Sequence, residues 1–185
     1  MEAFPARVLP PGTVLYRVHR VRRSPWWFSS DGSGRFDLPA PHGTCYLAED
    51  PVAALLEVTR GLTVLSEDFL AARRLFTTSL TTKLRLADLT APRAYSFGVT
   101  GELSATFDYD KPQAWADGLH TAGFEGIGYH IRHDPRSSFG AVALFGRAGR
   151  LRRPAPHSSQ AVSADLLLGA AAFGIRVASN LPAEG

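Results

Sequence analysis

Between residues 43 and 61 the chain reads GTCYLAEDPVAALLEVTRG, and no other stretch constrains the fold as tightly. Residues 44–48 are short, apolar and suited to a strand. Asp50 then offers a carboxylate to cap a helix. Pro51 fits the first helical position, where its missing N–H would have had no partner anyway. Val52, Leu55, Leu56 and Thr59 share one face of that helix, and Gly61 suits the left-handed residue that closes it. A strand that feeds directly into a helix with an apolar face needs a sheet for the helix to cover. Glu57 stands alone as an acid in this apolar run. Burying a carboxylate without partners is costly. It therefore either lies on an outer stripe with Ala53, Ala54, Thr59 and Arg60, or is buried beside donors. The pattern leaves both open.

The rest of the chain supplies the sheet. TVLYRVHR, residues 13–20, alternates apolar and polar and reads as a strand, after an irregular lead-in, PARVLPPG. Residues 22–43 form a long turn-rich loop, of the kind that in a compact domain usually carries function. Ser66 caps a short helix, and residues 74–89 hold β-branched strand material. Asp110 caps a helix over residues 112–122 that ends at Gly123. FEGIGYHIR and FGAVALFG are strands. LRRPAPHSSQ reads as a linker and residues 164–178 as a last helix. Several strands follow one another with no helix between, which predicts an α+β fold on a mixed or antiparallel sheet rather than a doubly wound one. The expected division is a main domain over residues 1–150. Residues 151–185 then form a linker and a helix packed on that domain or on a partner.

Composition narrows the function classes. Cys45 is the single cysteine, so no internal disulfide forms, which fits a cytoplasmic protein. No run reads as a secretion signal or is long enough to span a bilayer, so no membrane partner is expected. Of 20 basic residues, Lys83 and Lys111 are the two lysines; the others are arginines, whose planar forks grip phosphates and carboxylates. VHRVRRSPWWF alone mixes bases with aromatics as a nucleic-acid surface does, and nucleic acid is not an expected partner. The six histidines are scattered without metal-ligand spacing, so no metal is expected. Cys45 in a strand reads as a small buried apolar group. Nucleophile-elbow and P-loop motifs are absent.

The candidates left are Arg35 behind a Gly-Ser-Gly turn, Tyr46 in the strand and Glu57 in the helix. The order YRVHR, GRFD, GTCYLAEDPVAALLEV, GFEGIGYHIR, AVALFG resembles the RES domain family over residues 13–147. That resemblance implies an ADP-ribosyltransferase-like split mixed sheet, with flanking helices around a cleft for NAD. It implies a bacterial toxin-type enzyme that breaks the nicotinamide–ribose bond of NAD by hydrolysis or phosphorolysis, partnered by an Xre-type antitoxin. ADP-ribosyl transfer to a macromolecule is the alternative reaction, and a second copy of the chain is a further candidate partner. Carried over by position, Arg17 and Arg35 become the arms for the dinucleotide, Tyr46 a stacking and hydroxyl group, and Glu57 the catalytic carboxylate. Where the family has Tyr-x-Ser-Arg, this chain has Tyr129, His130, Ile131 and Arg132. Ile131 cannot donate as serine does, which raises a non-catalytic binding module as a further alternative. Ser137 and Ser138 are the nearby substitutes. Trp26 and Trp27 are read either as a lid over the cleft or as apolar anchors of the long loop.

Overall fold

The computed structural model describes residues 3–151 and 155–178. In chain order its strands are β1 (Ala6–Leu9), β2 (Val14–Arg20), β3 (Trp27–Phe28), β4 (His42–Ala48), β5 (Val64–Ser66), β6 (Arg73–Ser79), β7 (Leu84–Asp88), β8 (Gly126–His130), β9 (Gly140–Arg147), β10 (Gly149–Arg150), β11 (His157–Gln160) and β12 (Arg176–Ala178). The helices are α1 (Pro51–Thr59), α2 (Glu67–Ala71), α3 (Gly101–Ala105), α4 (Asp110–Thr121) and α5 (Ala164–Ala171). Eight strands make the central sheet in the order β1-β7-β8-β9-β4-β2-β6-β11. The β7–β8 pair is parallel and the others are antiparallel, which gives the mixed α+β sheet expected from the sequence. A parallel pair needs a long crossover, and α3 and α4 lie in the segment between β7 and β8.

The sheet is not continuous in strength. β4 pairs with β9 from His42↔Arg147 to Ala48↔Ala141, and β2 pairs with β6 from Val14↔Ser79 to Arg20↔Arg73. Between those two halves, β2 and β4 meet through one residue pair, Tyr16↔Ala48. The halves splay apart beyond that pair. Helix α1 packs against both β2 and β4 and so spans the junction. Asp50 caps it by accepting from the Val52 and Ala53 N–H groups at 2.7 and 3.3 Å. Ala53, Ala54, Leu55, Leu56 and Thr59 are buried. Arg60 and Gly61 end the helix at φ of 52° and 88°, the second being a backbone that glycine adopts without a Cβ clash.

Four local readings change. The lead-in contains β1, whose ARVL run pairs with β7. Helix α4 begins at Asp110 rather than Pro112, because Asp108, not Asp110, accepts from a backbone N–H there, that of Asp110, at 3.1 Å. The expected linker contributes β11, an edge strand whose four side chains are all exposed. Its residues, His157, Ser158, Ser159 and Gln160, carry no apolar alternation that could have announced it. The last helix stops at Ala171. A turn at Gly174 (φ 77°) then sends β12 alongside β5 in parallel. Helix α5 packs on α1. Among the described residues no helix is long and apolar enough to cross a membrane.

Because α1 spans the junction, its cap is a stability determinant. Asp50→Ala is expected to cost about 1 kcal/mol, read as a lower urea midpoint at an unchanged slope. An unaltered midpoint would mean that the cap contributes nothing.

Candidate functional site

A cavity of about 330 Å³ opens where the two halves of the sheet part. Strand β2 brings Tyr16 and Arg17 to it, and β4 brings Tyr46 and Leu47. The loop before β4 brings Gly34 and Arg35, and α1 brings Glu57 and Arg60. Tyr129, Arg132 and His133, at and beyond the end of β8, complete the wall with Tyr109.

Glu57 faces the cleft and is part-exposed there. Burial pushes its carboxyl pKa up, while the charges of Arg35 and Arg132, the Tyr129 hydroxyl and Arg60 pull the other way. Of the two readings open at the start, the acid among partners is the one found. Tyr129 is itself buried, and burial together with the nearby Glu57 charge drives its own pKa well above the ordinary phenol value. Its hydroxyl thus keeps its proton and donates to Glu57.

The Tyr46 hydroxyl is engaged within the fold. The ring lines the cleft, but the hydroxyl donates to Asp37 Oδ1 at 2.8 Å and accepts from the Phe36 N–H at 2.9 Å. Asp37 is buried and also accepts from the Gly34 N–H at 3.0 Å. Gly34 is required at its position: a Cβ there would collide with Asp37 Oδ1 and the Tyr46 hydroxyl and would sit 2.8 Å from Tyr46 Cε2. Arg35, next along, donates through Nη1 to the Thr106 carbonyl at 2.8 Å and lies 5.1 Å above the Tyr109 ring. Arg17 donates through Nη1 to the Pro25 and Trp27 carbonyls at 2.7 and 3.1 Å and to Cys45 Sγ at 2.9 Å. Both arginines line the cleft, and both also hold its walls.

The structure corrects Ser137 and Ser138, which do not line the cleft. Ser138 donates its N–H and its hydroxyl to Asp134, each at 2.7 Å, and Ser137 turns the backbone at φ 50°. Burial alone would raise the Asp134 carboxyl, but donors from Ser138, Arg136 and Phe139 hold it well below the usual carboxylate range. These serines close a turn. Ile131 is buried in the core and does not line the cleft. The tryptophans are placed differently. Trp26 is buried 5.4 Å from the Phe76 ring as an anchor. Trp27 stands at the cleft with Arg23 5.9 Å from its ring. Cys45 is buried in the apolar cluster, as its strand position suggested.

The family model of the RES domain matches residues 14–165. The chain belongs to the RES domain family. The matched segment takes in β2 through the start of α5, and therefore every residue that lines the cleft. Among solved structures, the fold is similar to a chain of the M. tuberculosis MbcT–MbcA toxin–antitoxin complex. The TM-score is 0.60 at 21% identity, over 83% of this chain and 87% of that one. A search of the curated proteins gave no match.

Tyr129, Arg132 and His133 join this RES domain's cleft beyond the residues expected from the sequence, and buried Asp37 supports it from behind through Tyr46 and Gly34. Tyr129 and Arg132 flank the serine position of the Tyr-x-Ser-Arg motif, and that motif is the signal that marks them. For Asp37, the GRFD run was the signal available. Tyr46→Phe would leave buried Asp37 short of one donor, at an expected cost of about 1–3 kcal/mol in unfolding free energy. A variant as stable as the parent would show that Asp37 does not need that hydrogen bond.

Proposed function

We propose that this RES domain binds NAD in the cleft and breaks its nicotinamide–ribose bond, as a toxin-type enzyme. The observation that carries this reading is Glu57: an acid held among Tyr129, Arg35, Arg132 and Arg60 in a cavity large enough for a ligand. Nicotinamide leaves as a neutral molecule, so the leaving group needs little protonation. What develops in the transition state is positive charge on the ribose. A fixed carboxylate in a water-poor cleft stabilises that charge more strongly than it would in bulk solvent. Tyr129, as a permanent donor, orients the carboxylate. The Tyr46 ring offers an apolar face for a flat base, and the arginines face the pyrophosphate.

The acceptor that takes the ADP-ribosyl group is water or phosphate in this proposal. Transfer to a macromolecule would use the same wall of residues, and the products distinguish the reactions. That Ile131 sits in the core supports keeping catalysis as the first reading, since the cleft wall is built by Tyr129 and Arg132 on either side of it. The solved complex pairs a toxin with an antitoxin. We extend that arrangement to this chain and propose a protein antitoxin of the Xre type as its partner.

The test is to incubate the purified protein with NAD, with and without phosphate, and identify the products. Nicotinamide release with ADP-ribose or its phosphate ester is expected. Label left on protein would indicate transfer instead. Glu57→Gln is expected to lower the rate about 100- to 1000-fold at a nearly unchanged melting temperature. NAD loss at the parent rate in that variant would remove Glu57 from the mechanism. The pH profile follows from the same residue. Its working form is the anion and its pKa is raised in the fold. Activity is therefore retained above that pKa and lost as pH falls through it, with the acid limb lying above the ordinary glutamate value. A limb at or below the ordinary value would contradict the burial of Glu57.

A further inference from the structure

Arg132 leaves β8 directly into the cleft wall. Its guanidinium lies 4.8 Å from the Phe107 ring, which fixes one face. Its Nε lies 3.3 Å from His133 Nε2. Its Nη1 is buried and has no hydrogen-bond partner among the described residues. A buried guanidinium N–H without an acceptor is costly, and such groups are rare where no ligand completes them.

Arginine only donates, so His133 Nε2 must be the unprotonated nitrogen and its proton must sit on Nδ1. The other edge of the ring is backed by the turn that ends α1: a Cβ built on Gly61 would lie 3.8 Å from His133 Cε1 and 3.9 Å from Nδ1. The imidazole is thus seated between that turn and Arg132. Burial, followed by the charges of Arg132 and Arg35, lowers its pKa, in keeping with the neutral form.

We propose that His133 is a positioning residue: its neutral ring holds Arg132 by the Nε–H, which turns the unpaired Nη1 edge toward a phosphate oxygen of the substrate. This rests on the NAD reading for the identity of the substrate. The chemistry at Arg132 is that of any phosphate or pyrophosphate group, which a planar guanidinium fork suits. Phe107 blocks one face and His133 takes Nε, leaving the Nη edge for the anion. A lysine would offer no such fixed plane.

The experiment compares the parent with His133→Gln and His133→Leu. Gln places an amide oxygen near the position of Nε2, and Leu fills space without an acceptor. Inorganic pyrophosphate binding is measured by calorimetry, and NAD turnover is resolved into kcat and KM. His133→Leu is expected to weaken pyrophosphate binding and to raise KM for NAD, each about tenfold, as befits one charge-assisted contact, with kcat little changed. His133→Gln is expected to recover most of the loss. In an Arg132→Gln background His133→Leu should have no further effect on pyrophosphate binding, which keeps the test open if one variant is unstable. The proposal is overturned if the parent does not bind pyrophosphate, if Leu binds it as the parent does, or if Gln is as impaired as Leu. Pyrophosphate binding that depends on His133 in a protein that leaves NAD intact would uphold the subsite and remove the NAD reading instead.

Discussion

β2 and β4 touch through Tyr16 and Ala48 and then part, and most of what is distinctive in this fold follows from that parting. Two strands that diverge leave backbone groups without ladder partners, and buried backbone groups must be paired somewhere. The long loop before β4 meets part of that demand through a backbone bridge between Ser29 and Thr44, with bonds of 2.9 and 2.8 Å, and side chains hold the loop's own backbone in place. Thr44 Oγ1 donates to the Phe36 carbonyl at 2.7 Å and accepts from the Leu38 N–H at 3.2 Å. The Tyr46 hydroxyl takes the Phe36 N–H, and Arg17 takes the Pro25 and Trp27 carbonyls. The gap in the sheet is thus lined by a loop that the neighbouring strands hold by hydrogen bonds. The cleft is a product of strand pairing rather than of loops resting on a closed surface.

Helix α1 crosses the same gap and explains the charge pattern. Its apolar residues cover the sheet on both sides of the junction, and Glu57 lies where the sheet beneath it opens. An acid there loses solvation, and Tyr129 with Arg35, Arg132 and Arg60 offsets the loss. Arg35, tied to the Thr106 carbonyl, and Arg132, set against Phe107 and His133, are held in place before any ligand arrives. Preorganised charge of this kind is what stabilises a transition state without reorganisation at the moment of reaction.

The elements that the sequence made legible were those with local signals. Helix α1 has a capping carboxylate, a proline at its start and an apolar face, and α2 has the Ser66 cap, whose hydroxyl accepts from the Phe69 N–H at 3.1 Å. The mixed sheet was legible in the run of strands without helices between them. β11 and β12 were not, because both have every side chain exposed and so lack the apolar alternation of a half-buried strand. At the site, Arg17, Arg35, Tyr46 and Glu57 all reach the cleft. Their partners were hidden because they come from far along the chain: Thr106 for Arg35, Tyr129 for Glu57. The serines at 137 and 138 misled because nearness in sequence to Arg132 says nothing about facing the same way; a buried Asp134 draws Ser138 into its own turn.

The central claim is that the parted junction of β2 and β4 is an NAD site with the reactive ribose over Glu57. A crystal structure of the protein with an NAD analogue whose nicotinamide–ribose bond resists cleavage tests it directly. The account requires the ribose beside the Glu57 carboxylate and the pyrophosphate against the arginine wall. An analogue bound elsewhere, or bound in the cleft with its nicotinamide end away from Glu57, would contradict it.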